Sequence, residues 1–274
     1  MRLRSIFLAP AALVMILLFF APLLIAFAYS FLTRGPYGGV FSPWTLENYR
    51  RALDPLYLVI LGRSFGLAAV STVLCLLLGF PLALYIARAA RHRVLLLNLV
   101  MLPFWTSFLI RTYAWMFLLR DTGLVNTLLE ELHMIHAPLP LLFNDGAVVL
   151  GLVYGFLPFM VLPLYATLEK LDPALLDAAF DLGATPWIAL WRVIVPLSRS
   201  GITAGCVLVF IPCLGAYLTP DLMGGGKTVM LGNLVQSQFT TARDWPFGAA
   251  ISLLLMLLVL LVARALSKQS EKLL

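Results

Sequence analysis

A glycine-rich segment at 224–228 (Gly-Gly-Gly-Lys-Thr) is the part of this sequence whose residue types could bind a phosphate group. A phosphate-binding loop of the form GxxxxGK[ST] cradles phosphates with backbone N–H groups and a lysine, and it follows a β-strand. Here Asp221 occupies the position of the first glycine, five residues before Gly226. The orientation derived below also places the segment on the outer side, away from ATP. We therefore predict no nucleotide site in this chain.

Two further residue groups could hold a metal ion. His133 and His136 stand three residues apart in an acidic stretch, but no third ligand accompanies them, and a solvated loop is the favoured interpretation. Cys75, Cys206 and Cys213 lie within apolar runs, where a thiol usually packs as a small hydrophobic group. Paired carboxylates, a nucleophile elbow and histidine clusters are missing from the apolar runs. The sequence thus predicts no metal site, no catalytic residues and no enzymatic activity.

The amino-acid composition indicates the class of protein that contains these residues. Of the 274 residues, 62% are apolar and 12% are charged, against roughly 45–50% and 25% in soluble domains. These values exclude a soluble enzyme, a disordered chain and a small disulfide-stabilised domain. The net charge of +6 would suggest nucleic acid as a partner of a soluble protein. In a chain this apolar we expect the lipid bilayer instead, and no nucleic acid.

Six apolar runs are long enough to cross a bilayer, which predicts an all-α membrane protein with one transmembrane domain over residues 1–274. The runs cover residues 5–32, 64–87, 94–119, 147–168, 201–219 and 247–266. The first run imitates a signal peptide, but its apolar core of about 27 residues exceeds the usual 7–15, so we interpret it as a retained span. The fifth run carries Gly205, Pro212 and Gly215, which predict a bent helix beside a cavity.

Basic residues set the expected orientation. The short loop at 88–93 holds three arginines, one histidine and no acid, and both chain ends are basic. Positive loops face the cytoplasm, so we expect both termini and this loop inside. The bias is modest, with eleven Lys and Arg residues inside and eight outside or near the outer face.

The cytoplasmic stretch at 169–200, between the fourth and fifth runs, is too polar to span a membrane. Asp172-Pro173 and Thr185-Pro186 each form a helix start signal. Gly183 is expected to end the first helix in the left-handed conformation. The apolar face of that helix consists of Leu175, Leu176, Ala179 and Leu182. Two capped helices with an exposed apolar face indicate a docking surface for a partner; the alternative is an amphipathic loop on the bilayer surface.

The same stretch resembles the EAA loop of bacterial ABC importer permeases, which reads Glu-Ala-Ala, three residues, Gly, nine residues, Ile, one residue, Leu-Pro. The matching positions are Asp177, Ala178, Ala179, Gly183, Val193, Val195 and Pro196. Asp177 replaces the glutamate, and the two valines replace branched apolar residues. The resemblance implies that Asp177, Ala178, Ala179, Gly183 and Pro196 couple the membrane domain to an ATPase.

Other segments are similar to the first permease subunit of spermidine/putrescine importers. They include residues 101–106, 151–160, 221–225 and 243–250, and the likeness runs from about residue 29 to 250. It implies a bacterial inner-membrane protein that works with a second homologous permease, two cytoplasmic ATPase subunits and a periplasmic substrate-binding protein. ATP and magnesium would bind to the ATPases, and no cofactor to this chain. The substrate stays open among polyamines, other small amines, opines and amino acids.

A stand-alone secondary transporter is the alternative from a different class. It predicts ionisable residues deep within spans. Arg111 is the best candidate, but it lies near the outer end of its run.

The substrate passage is expected to use aromatic and acidic residues near the outer ends of the spans, because ring faces and carboxylates attract ammonium groups. The candidates are Trp105, Tyr154, Tyr217, Asp221 and Asp244. Two alternatives stand beside this one. The rings can form an interfacial belt, and Asp221 can cap a helix or pair with Lys227 or Arg243.

Overall fold

The computed structural model describes Pro10 and residues 13–89 and 91–271, with side chains described up to residue 264. The described chain is mostly helical and contains one antiparallel hairpin, in which Thr33 pairs with Phe41. The hairpin strands are β1 (Thr33–Arg34) and β2 (Val40–Phe41). The helices are α1 (Leu13–Ser30), α2 (Glu47–Ala52), α3 (Pro55–Arg88), α4 (Arg93–Met101), α5 (Phe108–Leu119), α6 (Leu124–Glu131), α7 (Asp145–Leu168), α8 (Ala174–Asp181), α9 (Pro186–Leu197), α10 (Arg199–Leu214), α11 (Leu218–Gly224), α12 (Leu231–Thr240) and α13 (Trp245–Glu271).

Four of these helices are long and apolar enough to cross a membrane by themselves. They are α1, α3, α7 and the part of α13 from Trp245 to Arg264. Two bent pairs of helices also qualify, so that the described residues contain four candidate spans, or up to six if each pair crosses once. Residues 5–9, 11 and 12 of the expected first span, and the terminal charges Arg2, Arg4 and Lys272, lie outside the described residues.

The third expected span is not one continuous helix. A short 3-10 turn, Leu102–Trp105, follows α4, and Thr106 and Ser107 are then extended, with ψ angles of 148° and 136°. The segments on either side differ in direction by 89°. The run at 94–119 is therefore broken within its length, because two extended residues interrupt the helical hydrogen-bond ladder without changing the apolar character of the run.

The second expected span begins earlier than predicted. Helix α3 starts at Pro55 rather than near Ser64 and extends over 34 residues. The expected boundary was placed next to Arg63, a charge that usually lies outside an apolar span. In the structure the Arg63 guanidinium pairs with the Asp145 carboxylate at 2.6 Å, so the helix continues past it.

The chain divides into two compact units. One unit combines the described residues up to Leu61 with Leu234–Leu260. Within it, the buried side chain of Asn48 on α2 donates to the carbonyl oxygens of Ser30 and Leu32, at 2.9 and 2.8 Å. These two bonds satisfy carbonyl groups that the end of α1 leaves open.

The other unit comprises Gly62–Asn233 and the residues from Leu261 onward, and α7 lies at its centre. Helix α10 packs against α7 through Gly201 and Gly205, where an added Cβ would come within 2.6 Å of Thr167 and Met160 side-chain atoms. The missing side chains thus permit the two helices to approach closely. Met160 and Leu164 of α7 are fully buried beneath this contact.

Candidate coupling loop and transport passage

The segment between α7 and α10 contains the two helices that the sequence predicts. The Asp172 side chain accepts a hydrogen bond from the Ala174 N–H at 3.0 Å, and the Thr185 hydroxyl accepts one from the Ile188 N–H at 3.4 Å. Thr185 is thereby confirmed as the N-cap of α9. Helix α8 begins at Ala174 with Pro173 as its N-cap, one residue later than predicted. Pro196 lies in the last turn of α9.

Gly183 ends α8 in the left-handed conformation, as predicted, with φ at +82°. Its N–H donates to the Phe180 carbonyl at 2.9 Å, and the Ala184 N–H donates to the Ala179 carbonyl at 3.0 Å. This pair of bonds is a Schellman motif, which closes the helix on its own last carbonyl groups. The turn fixes the direction in which α9 leaves α8.

Two of the four residues of the predicted apolar face of α8, Leu175 and Leu182, are exposed. Leu182 is 90% exposed, Leu175 is 46% exposed, and Asp177 and Ala178 are exposed as well. Ala179 instead turns towards α9 and lines an open groove of about 320 Å³ between the two helices. An apolar surface left open in this way favours a protein or lipid partner.

An ion pair ties the start of this loop to the basic loop after α3. Arg93 at the beginning of α4 pairs with Glu169, the residue that follows α7, through the Arg93 Nη1 and Glu169 Oε1 atoms. No sequence pattern predicts this pair, whose members are 76 positions apart.

The predicted break in the fifth span is present. Helix α10 ends at Leu214, three residues follow, and α11 begins at Leu218. The residues after α10 pack closely against Gly232 of α12. An added Cβ on Gly232 would come within 2.3 Å of the Ala216 carbonyl oxygen and within 2.6 Å of the Gly215 carbonyl oxygen. Pro212 stays within α10, so the helix gives way at Gly215 rather than at the proline.

Two predicted passage residues lie at this break. The Tyr217 side chain is 47% exposed, and Asp221 is exposed on the first turn of α11. Among the side chains that the structure describes, neither Lys227 nor Arg243 pairs with the Asp221 carboxylate, which has no ion-pair partner there. The alternative in which a neighbouring cation occupies Asp221 therefore has no support in this structure.

Tyr154 lies on α7 beside a small cavity. Its ring contacts the Trp115 ring edge-on, with 5.5 Å between the centroids. The cavity has a volume of about 10 Å³, enough for about one water molecule. Arg111 and Met223 of α11 also line it. The cavity brings α5, α7 and α11 together at one point.

The Arg111 guanidinium contacts two aromatic rings, and among the described residues it forms no ion pair with an acid. Its guanidinium lies 5.6 Å from the Phe104 ring centroid and 5.5 Å from that of Phe108. Within the described part of the chain, its buried Nε and Nη1 atoms have no hydrogen-bond partner. Trp105, the neighbour of Phe104, is 77% exposed. Trp105 therefore projects away from the protein interior.

Asp244 has a different environment from the other passage candidates. Its carboxylate is 3.0 Å from the Arg51 guanidinium, the residue is 2% exposed, and Oδ1 accepts the Phe247 N–H at 3.2 Å. The Arg51 guanidinium also lies 4.1 Å from the Phe247 ring centroid. Asp244 belongs to the unit that contains α2, whereas the other four candidates belong to the unit that contains α7.

The glycine-rich segment at 224–228 follows helix α11, not a strand. Gly225 and Gly226 are left-handed, with φ of +56° and +75°. The Thr228 hydroxyl donates to Asp145 at 2.6 Å, and Arg63 donates to the Lys227 carbonyl at 2.9 Å. These bonds connect the segment to α3 at Arg63 and to the start of α7 at Asp145, a role that sequence reasoning missed. In the described residues no group of three or more His, Cys, Asp or Glu side chains could hold a metal ion.

Residues 6–272 match the family described as "Binding-protein-dependent transport system inner membrane component". The chain belongs to this family. The sequence-based resemblance to importer permeases is thereby confirmed, and the permease is an inner-membrane protein.

Two of the relatives with similar sequences carry the name of one transport system. The permease is 45% identical over 265 residues to the spermidine/putrescine transport system permease protein PotB of Escherichia coli (strain K12), covering 94% of this chain and 96% of that protein. It is 44% identical over 249 residues to the protein of that name from Haemophilus influenzae, covering 90% and 87%. A crystal structure of a bacterial alginate ABC transporter with its periplasmic protein contains a chain with a TM-score of 0.79 at 16% identity, covering 98% of this chain and 94% of that one. This last likeness concerns the fold alone.

Proposed function

We propose that this permease is a transmembrane subunit of an ATP-driven importer that moves polyamines of the putrescine and spermidine type into the cytoplasm. The observation that carries the proposal is the 45% identity to a spermidine/putrescine permease over 94% of this chain and 96% of the relative. The family match over residues 6–272 supports a single permease domain. A second homologous permease, two ATPases that bind ATP and magnesium, and a periplasmic binding protein complete the proposed importer.

The proposed topology has six crossings, with both termini and the α8–α9 loop in the cytoplasm. Counting each bent helix pair as one crossing gives six candidate spans in the described residues. The ion pair between Arg93 and Glu169 supports the orientation. It joins the basic loop, which should face the cytoplasm, to the first residue of the α8–α9 loop, so that both lie on one side of the membrane.

The α8–α9 loop is proposed to transmit movement from the ATPase. Asp177, Ala178 and Ala179 lie on α8, whose exposed Leu175 and Leu182 side chains leave an apolar surface for a groove on the ATPase. Because the left-handed turn at Gly183 fixes α9 relative to α8, the two helices would move together. ATP-driven closure of the ATPases would then tilt α7 and α10 and expose the passage to alternate sides.

Tyr217 and Asp221 are proposed as the gate and weak contact site for the substrate. The broken end of α10 exposes the Tyr217 ring, and the Asp221 carboxylate is free to attract an ammonium group. Weak attraction suits a passage, because tight binding would slow release. Tyr154 and Trp105 are proposed as further aromatic contacts along the route. Asp244 is proposed to act through its pair with Arg51, as a residue that holds the turn before α13.

The test compares Asp221→Asn with the matched control Asp121→Asn, which changes another exposed aspartate of the same unit. Uptake of labelled putrescine and spermidine is measured in proteoliposomes containing the whole complex, purified through a tag on this chain. Because an exposed charge attraction is weak, we expect Asp221→Asn to raise the half-saturating substrate concentration by roughly threefold to tenfold. Tyr217→Ala should lower uptake more than Tyr217→Phe, which keeps the ring.

Three outcomes separate the parts of this proposal. A complex that imports amino acids or opines but no polyamine would contradict the substrate class. A complex that imports polyamines with unchanged kinetics in Asp221→Asn and Tyr217→Ala would contradict the gate alone. A permease that transports alone, without co-purifying ATPase subunits, would contradict the importer assignment altogether.

A further inference from the structure

Two tryptophans on α9 form an exposed aromatic pair that the coupling role does not use. Trp187 is 67% exposed and Trp191 is 54% exposed. Their rings meet edge to face, with 5.8 Å between the centroids. Residues four positions apart lie on the same face of a helix, so the two indoles form one continuous surface.

This surface lies on the side of α9 that faces away from α8. Ile188, Ala189, Arg192 and Val193 line the groove that α9 shares with α8. On a helix these residues are on the side opposite to positions 187 and 191. A partner that binds α8 therefore has no direct access to the tryptophan pair.

The direction of α9 places the pair beside the membrane. Helix α9 is bent by 69° from α10. With α10 as the part of this bent pair that crosses the membrane, α9 would run closer to the membrane plane than to the membrane normal. Tryptophan is enriched at the boundary between the polar headgroups and the apolar core, because its ring is apolar and its N–H is polar, and an exposed tryptophan pair on such a helix fits that boundary.

Positive charge accompanies the aromatic pair. Arg199, at the start of α10, is exposed. It forms no ion pair within the chain as the structure describes it. Anionic lipids in the cytoplasmic leaflet attract arginine near the membrane surface. The combination of an aromatic face and a nearby arginine fits a lipid surface.

We propose that Trp187 and Trp191 anchor α9 in the headgroup region of the cytoplasmic leaflet, with Arg199 bound to anionic lipid phosphates. The inference rests on the proposed cytoplasmic position of the loop. It assigns separate partners to the two helices: α8 contacts the ATPase, and α9 contacts the bilayer. The lipid contact would act as the pivot about which α8 transmits its movement.

The test measures tryptophan fluorescence of the assembled importer in nanodiscs of phosphatidylcholine and phosphatidylglycerol, with and without brominated acyl chains near the headgroups. The variant Trp187→Phe/Trp191→Phe keeps the apolar rings and removes both indoles. We expect it to lose a large part of the fluorescence that bromine quenches in the unmodified importer. The control Trp115→Phe removes a tryptophan that lines the internal cavity and should leave the quenched part unchanged.

A second measurement covers the case in which the double variant does not assemble. A spin label on Trp187→Cys should collide more often with oxygen than with a water-soluble nickel chelate if position 187 lies in lipid. Equal quenching in the double variant and the unmodified importer, or greater access for the nickel chelate, would overturn the proposal. Polyamine uptake in the same preparation tests the proposed function separately, since uptake can persist whether or not the tryptophans contact lipid.

Discussion

The left-handed turn at Gly183 offers the sharpest test of the coupling loop, because its energetic contribution can be isolated. An added Cβ at Gly183 meets no atom within 4 Å. A larger residue is therefore opposed by the backbone conformation alone, at φ of +82°. Left-handed geometry costs an L-residue other than glycine roughly 1–2 kcal/mol.

A shift of that size changes a conformational equilibrium about 5-fold to 30-fold. In Gly183→Ala we expect the equilibrium between the closed turn and an open turn to shift by this factor towards the open turn, in which the Schellman hydrogen bonds donated by residues 183 and 184 are broken. The angle between α8 and α9 would then no longer be fixed. We expect ATP-driven polyamine uptake in proteoliposomes to fall by about fivefold or more, with normal membrane insertion.

Two further substitutions separate strain from charge. Asparagine adopts the left-handed conformation more readily than alanine, so Gly183→Asn should retain more uptake than Gly183→Ala. Gly183→Asp has nearly the same shape as Gly183→Asn but adds a negative charge beside the proposed ATPase contact, and it should abolish uptake.

The control is Gly226→Ala. Gly226 has a similar φ of +75° and an equally open Cβ position, but it lies beyond α10 and outside the coupling loop. The measurements are uptake and the amount of ATPase that co-purifies with the permease. If Gly183→Ala and Gly226→Ala behave alike in both assays, the reasoning about a rigid turn is wrong.

Two predictions concern stability rather than coupling. In Gly232→Ala the added Cβ would overlap a backbone carbonyl oxygen, and such overpacking destabilises a protein by about 1–3 kcal/mol, so the thermal midpoint of the purified permease should fall. The control Gly66→Ala has open space around its Cβ and should leave the midpoint unchanged. Equal midpoints in the two variants would contradict the close approach at Gly232. Arg51→Gln leaves the buried Asp244 carboxylate without its cation and should cost about 3 kcal/mol. Its control, Arg50→Gln, changes an exposed neighbour on α2; an equal loss in both, measured by denaturation, would show that the ion pair contributes nothing.

The local features of the coupling loop could be predicted from sequence because their causes are local. A cap, a helix-starting proline and a left-handed glycine act within about four residues of one another. Thr185 and Gly183 therefore identified the ends of α8 and α9 correctly. The broken fifth span was predicted for the same reason, from glycine and proline within a short apolar run.

The features that the sequence did not reveal depend on distant partners or on backbone geometry that hydropathy does not report. Arg63 lies within α3, and its partner Asp145 is 82 positions away. Asp244 is a predicted passage residue, and its partner Arg51 is 193 positions away. The bend before Phe108 lies between two apolar helices, so the run on either side of it looked continuous.

The shortness of α10 has a consequence for the lipid around the permease. Its 16 residues give a helix of about 24 Å, whereas the hydrocarbon part of a bilayer is about 30 Å thick. Such a hydrophobic mismatch is relieved by local thinning of the bilayer, at a fraction of a kcal/mol per Å. The thinning would draw the headgroups of the cytoplasmic leaflet towards Arg199, at the start of α10. Membrane thickness would then act on the same end of the protein that receives the force from ATP hydrolysis.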